Sequence, residues 1–171
     1  MSLMGIDGAY LRSVACAGAM ILPLAVGVAA TPASAARLVV RDDHVVALDK
    51  IDLPTAGRAD FYAQVTVGRR TVKSKFVRNA DDVRPNWVMV VPVRREKVSV
   101  KLEILDRNVL RKATQVDINR LPNKRDLDFE VDTRRCVITG FAETYKCGAT
   151  IRRAGDERRR AEITFTVDVR P

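Results

Sequence analysis

The chain has a single histidine, His44, and only two cysteines beyond residue 35, which leaves few side chains for nucleophilic or metal-dependent catalysis. No Gly-x-Ser-x-Gly motif, glycine-rich phosphate loop or His-x-x-x-His spacing occurs. A nucleophile without a base, and a metal site without imidazole or thiolate, leave carboxylates as the available chemistry. The acidic residues are scattered, and most lie within two residues of an arginine or lysine, which is typical of a solvated surface. We therefore expect a protein that is not an enzyme.

Helical spacing of apolar residues is also scarce, whereas two-residue alternation recurs along the chain. Segments 61–67, 98–104 and 163–169 alternate apolar and polar residues, as half-buried strands do. Further segments have strand character: 38–48, 71–78, 87–93, 113–118, 127–131 and 136–139. Short strands separated by turn residues predict an all-β fold, an antiparallel eight-stranded β-sandwich. We interpret the basic residues 152–160 as a turn before the last strand.

Residues 14–30 form the one long apolar run of the sequence. Arg12 precedes it, and residues 31–35 end in the Ala-x-Ala pattern that signal peptidase accepts. The run is shorter than the roughly 20 residues that a spanning helix needs, and Pro23 interrupts it. We interpret residues 1–35 as a signal peptide, with a retained membrane anchor as the alternative. Residues 36–171 then form one exported domain, secreted or periplasmic, without a transmembrane segment.

Cys136 and Cys147 are the two cysteines of this domain. In an oxidising compartment, an even pair so close in sequence indicates a disulfide, and closing the short loop would contribute roughly 3 kcal/mol. A metal-binding or catalytic thiol pair is the alternative, but no histidine lies nearby in the sequence. We predict a disulfide between Cys136 and Cys147.

The chain carries a formal net charge of +9, and the predicted domain keeps it, because Arg12 and Asp7 are the charged residues of the first 35. Such a surface attracts phospholipid headgroups, lipopolysaccharide, acidic glycans or nucleic acid. The basic stretches contain few aromatic residues to stack on bases, which disfavours nucleic acid. We expect an anionic lipid or envelope polymer as the partner.

Basic residues are dense after the turn at Gly68. If residues 71–78 form a strand, Lys73 and Lys75 project from one face, and Arg69 and Arg70 extend the positive end. Such a cluster can hold anionic headgroups at about 1 kcal/mol per basic residue. An ordinary solvent face, or charges that protect a sheet edge from pairing, are the alternatives.

Three short motifs follow one another along the domain. An acidic loop precedes Asp60-Phe61-Tyr62, Pro85 and Trp87 open a later strand, and Asp106-Arg107-Asn108 follows another. This order resembles a C2 domain, the calcium- and lipid-binding β-sandwich of synaptotagmins and protein kinase C. The last strand, 161–169, also resembles the strand that ends these domains. The resemblance covers about residues 37–170.

The resemblance implies a calcium site at one end of the sandwich, formed by Asp52, Asp60, Asp106 and Asn108. Calcium takes six to eight oxygen ligands, several of them anionic. Asn108 stands where the family has an acid, and Arg107, Arg111 and Lys112 would lie beside the ion. The sequence leaves open a calcium site and a metal-free tip.

These features together predict an exported, non-enzymatic binding module for an anionic membrane or envelope surface, with calcium as the cofactor that the resemblance implies. The alternative is a structural or protein-interaction domain of the envelope, with a protein partner and neither metal nor lipid binding.

Overall fold

The computed structural model describes residues 36–49, 51, 58–107 and 112–171. The predicted signal peptide, Asp52 and Asn108 lie outside the described residues. Within the described part, no helix has the length and hydropathy that crossing a membrane requires. The described strands are β1 (Ala36–Ala47), β2 (Phe61–Val67), β3 (Arg70–Lys73), β4 (Asp82–Val83), β5 (Trp87–Val93), β6 (Lys97–Asp106), β7 (Thr114–Val116), β8 (Leu127–Asp132), β9 (Val137–Thr139), β10 (Tyr145–Lys146), β11 (Ile151–Ala154) and β12 (Ala161–Arg170).

The strands form two antiparallel sheets. In sheet A, β1 pairs with β12 on one side and with β5 and β4 on the other, and β11 adds to β12. Sheet B has the order β10-β9-β8-β6-β2-β3, and β7 pairs with β6 beyond β8. Eight of the twelve described strands have four or more residues. The predicted all-β antiparallel sandwich is confirmed, with four shorter strands added to it.

The alternation of apolar and polar side chains along each strand determines which face of the strand is buried. In β2, Phe61, Ala63 and Val65 are fully buried between the sheets, while Tyr62 and Gln64 are half-buried on the outer face. The same two-residue pattern repeats in β6 and β12. Burying a large apolar side chain stabilises the fold by roughly 1.5 to 3 kcal/mol. The pattern that predicts the strands therefore also identifies the residues that hold the two sheets together.

The predicted disulfide between Cys136 and Cys147 is present and closes the β9–β10 hairpin, with the two Cα atoms 5.2 Å apart. Phe141 lies inside this loop, and its ring centroid is 5.4 Å from that of Phe129 in β8. The centroid of Phe165 in β12 lies 6.4 Å away. The disulfide loop thus supplies an aromatic ring that packs against both sheets.

Two interpretations of the basic segments are wrong. The predicted strand 71–78 starts one residue earlier, at Arg70, and ends at Lys73. Part of the expected turn 152–160 belongs to β11, which pairs with β12 at the edge of sheet A. Ile151 is the one fully buried residue of β11, so its strand signal is weak beside the charges that follow.

Candidate anionic-surface site

The predicted anionic-surface residues lie on and just after the β2–β3 hairpin at the edge of sheet B. Gly68 and Arg69 form its turn, and the register pairs Val67 with Arg70. Gly68 has a φ of 59°, a left-handed conformation that glycine adopts without steric cost. This tight turn leaves Arg69 and Arg70 exposed at the tip of the hairpin.

Lys73 lies on the outer face of sheet B. It pairs with Gln64 in the β2–β3 register, and its Nζ atom is 5.9 Å from the centroid of the Tyr62 ring. Burial, followed by the charge of Glu103, raises the pKa of Tyr62, so the ring beneath the ammonium group stays neutral at physiological pH. The cation–π contact orients the lysine while its charge remains exposed.

The pairing of β2 with the chain becomes irregular after β3. The hydroxyl of Ser74 accepts a hydrogen bond from the backbone N–H of Ala63 at 2.8 Å. Pairing resumes at Val77, which bridges to Phe61 one residue later than a regular ladder would place it. The regular alternation that would place both Lys73 and Lys75 on one face therefore ends at this bulge.

These four basic residues are all exposed, and none of them has a charged partner among the described residues. Among the residues that the structure describes, no acidic side chain forms an ion pair with any of Arg69, Arg70, Lys73 or Lys75. Each keeps its full charge available to a partner outside the chain.

A groove of about 460 Å³ crosses the outer face of sheet B beside this hairpin, and Lys101, Asp128 and Glu130 are among its lining residues. The Nζ atom of Lys101 lies 2.9 Å from the Oδ2 atom of Asp126. The groove therefore presents neutralised and acidic side chains, which do not suit an anion. The hairpin is the better anionic-surface site.

The structure brings together two of the four residues expected at a calcium site. The Oδ1 atom of Asp106 accepts a hydrogen bond from the backbone N–H of Asp60 at 2.8 Å. The Oδ1 atom of Asp60 accepts one from the backbone N–H of Asn79 at 2.9 Å. Both carboxylates fix the backbone where β2 begins and β6 ends. The structural role of this pair in holding the backbone is not one that the family resemblance suggests.

Two arginines flank this pair of carboxylates along the backbone. Arg107 follows Asp106, and its backbone N–H donates to the carbonyl of Asp60 at 2.9 Å. Arg78 precedes Asn79, and the guanidinium groups of Arg107 and Arg78 lie 4.3 and 5.1 Å from the centroid of the Phe76 ring. Asp52 and Asn108, the other two expected ligands, lie outside the described residues. No group of three or more acidic, histidine or cysteine side chains that can hold a metal occurs within the described residues. The described residues do not by themselves fit a calcium ion.

Two further turns carry doubled arginines that the sequence analysis did not single out, Arg94-Arg95 and Arg134-Arg135. All four side chains are exposed. The hydroxyl of Thr133 donates a hydrogen bond to the backbone carbonyl of Glu96 at 3.0 Å, so the two turns lie side by side. The arginine doublets are visible in the sequence, but only the topology brings them together.

Solved structures match the fold, whereas no protein-family model and no curated protein matches the sequence. A single C2 domain of plant extended synaptotagmin 1 matches with a TM-score of 0.55 and 10% identity, over 80% of this chain and 95% of that one. A structure containing two C2 domains of extended synaptotagmin 2 matches with a TM-score of 0.54 and 12% identity, over 94% of this chain and 48% of that one. A human GIVD cytosolic phospholipase A2 matches with a TM-score of 0.49 and 12% identity, over 78% of this chain and 17% of that one.

The chain thus spans about half of the two-domain synaptotagmin structure and a small part of the phospholipase. At such low identity, the two synaptotagmin matches carry information on the fold alone. They agree with the resemblance of the sequence motifs and with the two antiparallel sheets. The described part of this chain has the fold of a C2 domain.

Proposed function

We propose that this protein is a non-enzymatic C2-like binding module that engages anionic membrane or envelope surfaces through Arg69, Arg70, Lys73 and Lys75. The observation that carries the proposal is that all four residues are exposed on the β2–β3 hairpin or just after it, without an ion pair to any described residue. A cluster of unpaired cations attracts anionic headgroups, and each cation near the surface contributes about 1 kcal/mol.

An exported location forms part of the proposal. The Cys136–Cys147 disulfide supports it, because disulfides persist in oxidising compartments. The signal peptide itself lies outside the described residues, so the test is chemical. N-terminal sequencing of the exported protein should find Ala36 as the first residue, and a retained leader would contradict cleavage at Ala35.

Vesicle co-sedimentation tests the binding function. We expect the oxidised protein to bind vesicles of phosphatidylcholine and phosphatidylglycerol, and not vesicles of phosphatidylcholine alone. Replacing all four hairpin residues by glutamine should weaken binding about a thousandfold, because about 4 kcal/mol is lost. High salt should weaken binding of the unaltered protein as well, because it screens exposed charges.

The matched control removes the same net charge elsewhere. Arg58, Lys101, Lys124 and Arg152 each form an ion pair with an acidic residue, so replacing these four by glutamine should leave most of the binding intact. Equal losses in the two variants would show that net charge alone drives binding and would contradict a hairpin site. Thermal melts of both variants exclude unfolding as the cause.

Calcium dependence remains a prediction of the family resemblance. A ligand that binds only the folded state raises the melting temperature by mass action. If Asp60 and Asp106 hold calcium together with residues outside the described part, millimolar calcium should raise the melting temperature over that in chelator, and Asp60→Asn and Asp106→Asn should abolish the rise. An unchanged melting temperature would contradict a calcium site and leave the basic hairpin as the binding surface.

Strand β5 favours a second candidate function, recognition of another protein. Val88 and Val90 are 52% and 43% exposed on its outer face, and among the described strands β5 pairs with β1 alone. An exposed edge strand with apolar side chains can accept a strand from a partner. Absence of vesicle binding, together with a partner lost in Val88→Lys, would favour this function over membrane binding.

A further inference from the structure

One end of the sandwich gathers chain segments from both sheets. In sheet A, β1 begins there at Ala36 opposite Val93, the last residue of β5, and β12 ends there at Arg170. In sheet B, β6 begins there at Lys97 opposite Asp132, the last residue of β8.

Three turns complete this end. The turn 94–96 connects β5 in sheet A to β6 in sheet B, and the turn 133–136 follows β8. The backbone N–H of Thr133 donates to the carbonyl of Glu96 at 2.7 Å, which holds these two turns together. The β2–β3 turn lies at the same end, because β2 is antiparallel to β6 and ends at Val67 opposite Val100.

Nine basic residues, all exposed, occupy this end, which we call the arginine end. They are Arg37, Arg69, Arg70, Arg94, Arg95, Lys97, Arg134, Arg135 and Arg170. The acidic residues of the same turns and strand ends are Glu96 and Asp132, and one carboxylate oxygen of Asp132 accepts the backbone N–H groups of Arg134 and Arg135 at 3.1 and 2.8 Å. The end is strongly positive.

Among the described residues, no cation of the arginine end forms an ion pair. The six ion pairs among the described residues all involve cations outside the arginine end. Arg37 and Arg170 even lie directly opposite each other on neighbouring strands, an arrangement that destabilises a sheet. An anionic partner seated on this end would neutralise that repulsion.

The side chains of the arginine end favour binding to phosphate groups that are spread over a surface. Eight of its nine cations are arginines, whose planar guanidinium groups bind phosphate through two hydrogen bonds. The connecting turns are short, and none of the turns 68–69, 94–96 and 133–136 contains an aromatic residue to stack on a base. These features suit the headgroups of a membrane better than a nucleic acid.

We propose that the domain docks end-on, with the arginine end against anionic phospholipid headgroups and the Asp60–Asp106 end away from them. This inference rests on the proposed membrane function and extends its surface from Arg69 and Arg70 at the hairpin tip to cations of both sheets. The hairpin tip is then one corner of a larger site, and cations from both sheets contact the lipid together. The turns 94–96 and 133–136 become binding elements that the family resemblance does not single out.

The test uses charge-removing pairs in the oxidised protein and vesicles of phosphatidylcholine with phosphatidylglycerol. We expect Arg94→Gln with Arg95→Gln, and separately Arg134→Gln with Arg135→Gln, each to weaken binding about 30-fold, at about 1 kcal/mol per arginine. The control pair, Lys124→Gln with Arg152→Gln, removes the same charge from ion-paired residues and should weaken binding less than about threefold. Replacing the same four turn arginines by lysine should restore only part of the affinity, because lysine cannot bind phosphate through a two-bond fork.

The outcomes separate this inference from the proposed function. If the hairpin variant loses binding while both turn pairs bind like the control pair, end-on docking is overturned and the membrane function stands. If the unaltered protein does not bind these vesicles, both proposals fail. If a phosphodiester oligonucleotide binds more tightly than the vesicles and competes through the same arginines, the end is a nucleic-acid site and the membrane inference is overturned.

Discussion

Two buried carboxyl groups in this molecule have opposite surroundings. Asp42 and Asp117 are both 0% exposed. The carboxylate of Asp117 accepts three backbone N–H groups, from Asn119 at 3.0 Å, Asp156 at 2.9 Å and Glu157 at 2.7 Å. Neither oxygen of Asp42 has a hydrogen-bond partner within the described residues. Burial costs desolvation free energy at both sites, and hydrogen bonds offset that cost at Asp117 but not at Asp42.

The difference follows from where each residue lies. Asp117 lies where the chain leaves β7 and meets the loop before β12, so free N–H groups of that loop point at it. Asp42 lies on the inward face of β1, opposite Trp87 and Phe165. Both neighbouring strands pair with β1 there, so their backbone N–H groups already bond within the sheet. Burial, and then the charge of Asp43, raises the pKa of Asp42 to about 8.

The largest effect is expected from Asp117→Ala. This change removes a charged acceptor from three backbone donors, and hydrogen bonds to a charged group contribute roughly 1.5 to 3 kcal/mol each. We expect the free energy of unfolding to fall by roughly 5 kcal/mol, measured by urea denaturation. The exposed neighbour provides the control, since Asp156→Ala should cost less than about 0.5 kcal/mol. Equal costs would show that the three hydrogen bonds contribute little.

Asp42→Asn should have the opposite sign. The pKa of Asp42 is raised in the folded protein from 3.8 to about 8, so the protonated group contributes full stability below its unfolded pKa. That stability is lost progressively as pH rises from the unfolded value to the folded value of about 8. Near pH 7 the asparagine variant should therefore be more stable than the unaltered protein by roughly 4 kcal/mol.

The pH series separates titration of Asp42 from other effects of the substitution. The difference between the variant and the unaltered protein should vanish below about pH 3, where Asp42 is neutral in both the folded and the unfolded state. Other carboxylates titrate equally in both proteins, so they cancel in this difference. A difference that does not change with pH would mean that Asp42 is already ionised and has a partner.

The alternation of apolar and polar residues that predicts the fold also indicates that the Asp42 side chain is buried. Leu38, Val40 and Asp42 follow one another at two-residue spacing, which places the carboxyl group on the buried face of β1. The boundaries of β2 and β5 follow from the same pattern without error, because each is regular and buried on one face. Fold class and core are therefore readable from residue spacing.

Features that depend on contacts between distant segments could not be predicted in this way. The end of β3 at Lys73 depends on the Ser74 hydroxyl, which bonds the backbone of Ala63 across the hairpin. The three donors to Asp117 come from its own turn and from a loop far along the chain. For the candidate site, the four basic residues were readable from the sequence, whereas the arginine end required the topology of both sheets.

Gly155→Ala tests the support of Asp117 without changing any charge. A Cβ atom at Gly155 would lie 2.2 Å from the backbone carbonyl oxygen of Asp117, so the loop that bonds the carboxylate must move. We expect a loss of roughly 3 kcal/mol in the free energy of unfolding. Because both changes release the same loop, the double variant with Asp117→Ala should cost less than the sum of the single changes. Strict additivity would show that the glycine and the carboxylate act independently.

The smallest effect is expected at the charge beside Asp42. Asp43 lies at the bulge of β1 and is the second cause, after burial, of the raised pKa of its neighbour. Asp43→Asn should lower the pKa of Asp42 and so stabilise the folded protein above about pH 8, where Asp42 is ionised, by about 0.5 kcal/mol, since the lost repulsion acts across a partly solvated path. The gain should disappear in the Asp42→Asn background, because no ionisable group is left there for Asp43 to repel. An equal gain in both backgrounds would mean that Asp43 destabilises β1 through the bulge itself, and Asp42 would then owe its raised pKa to burial alone.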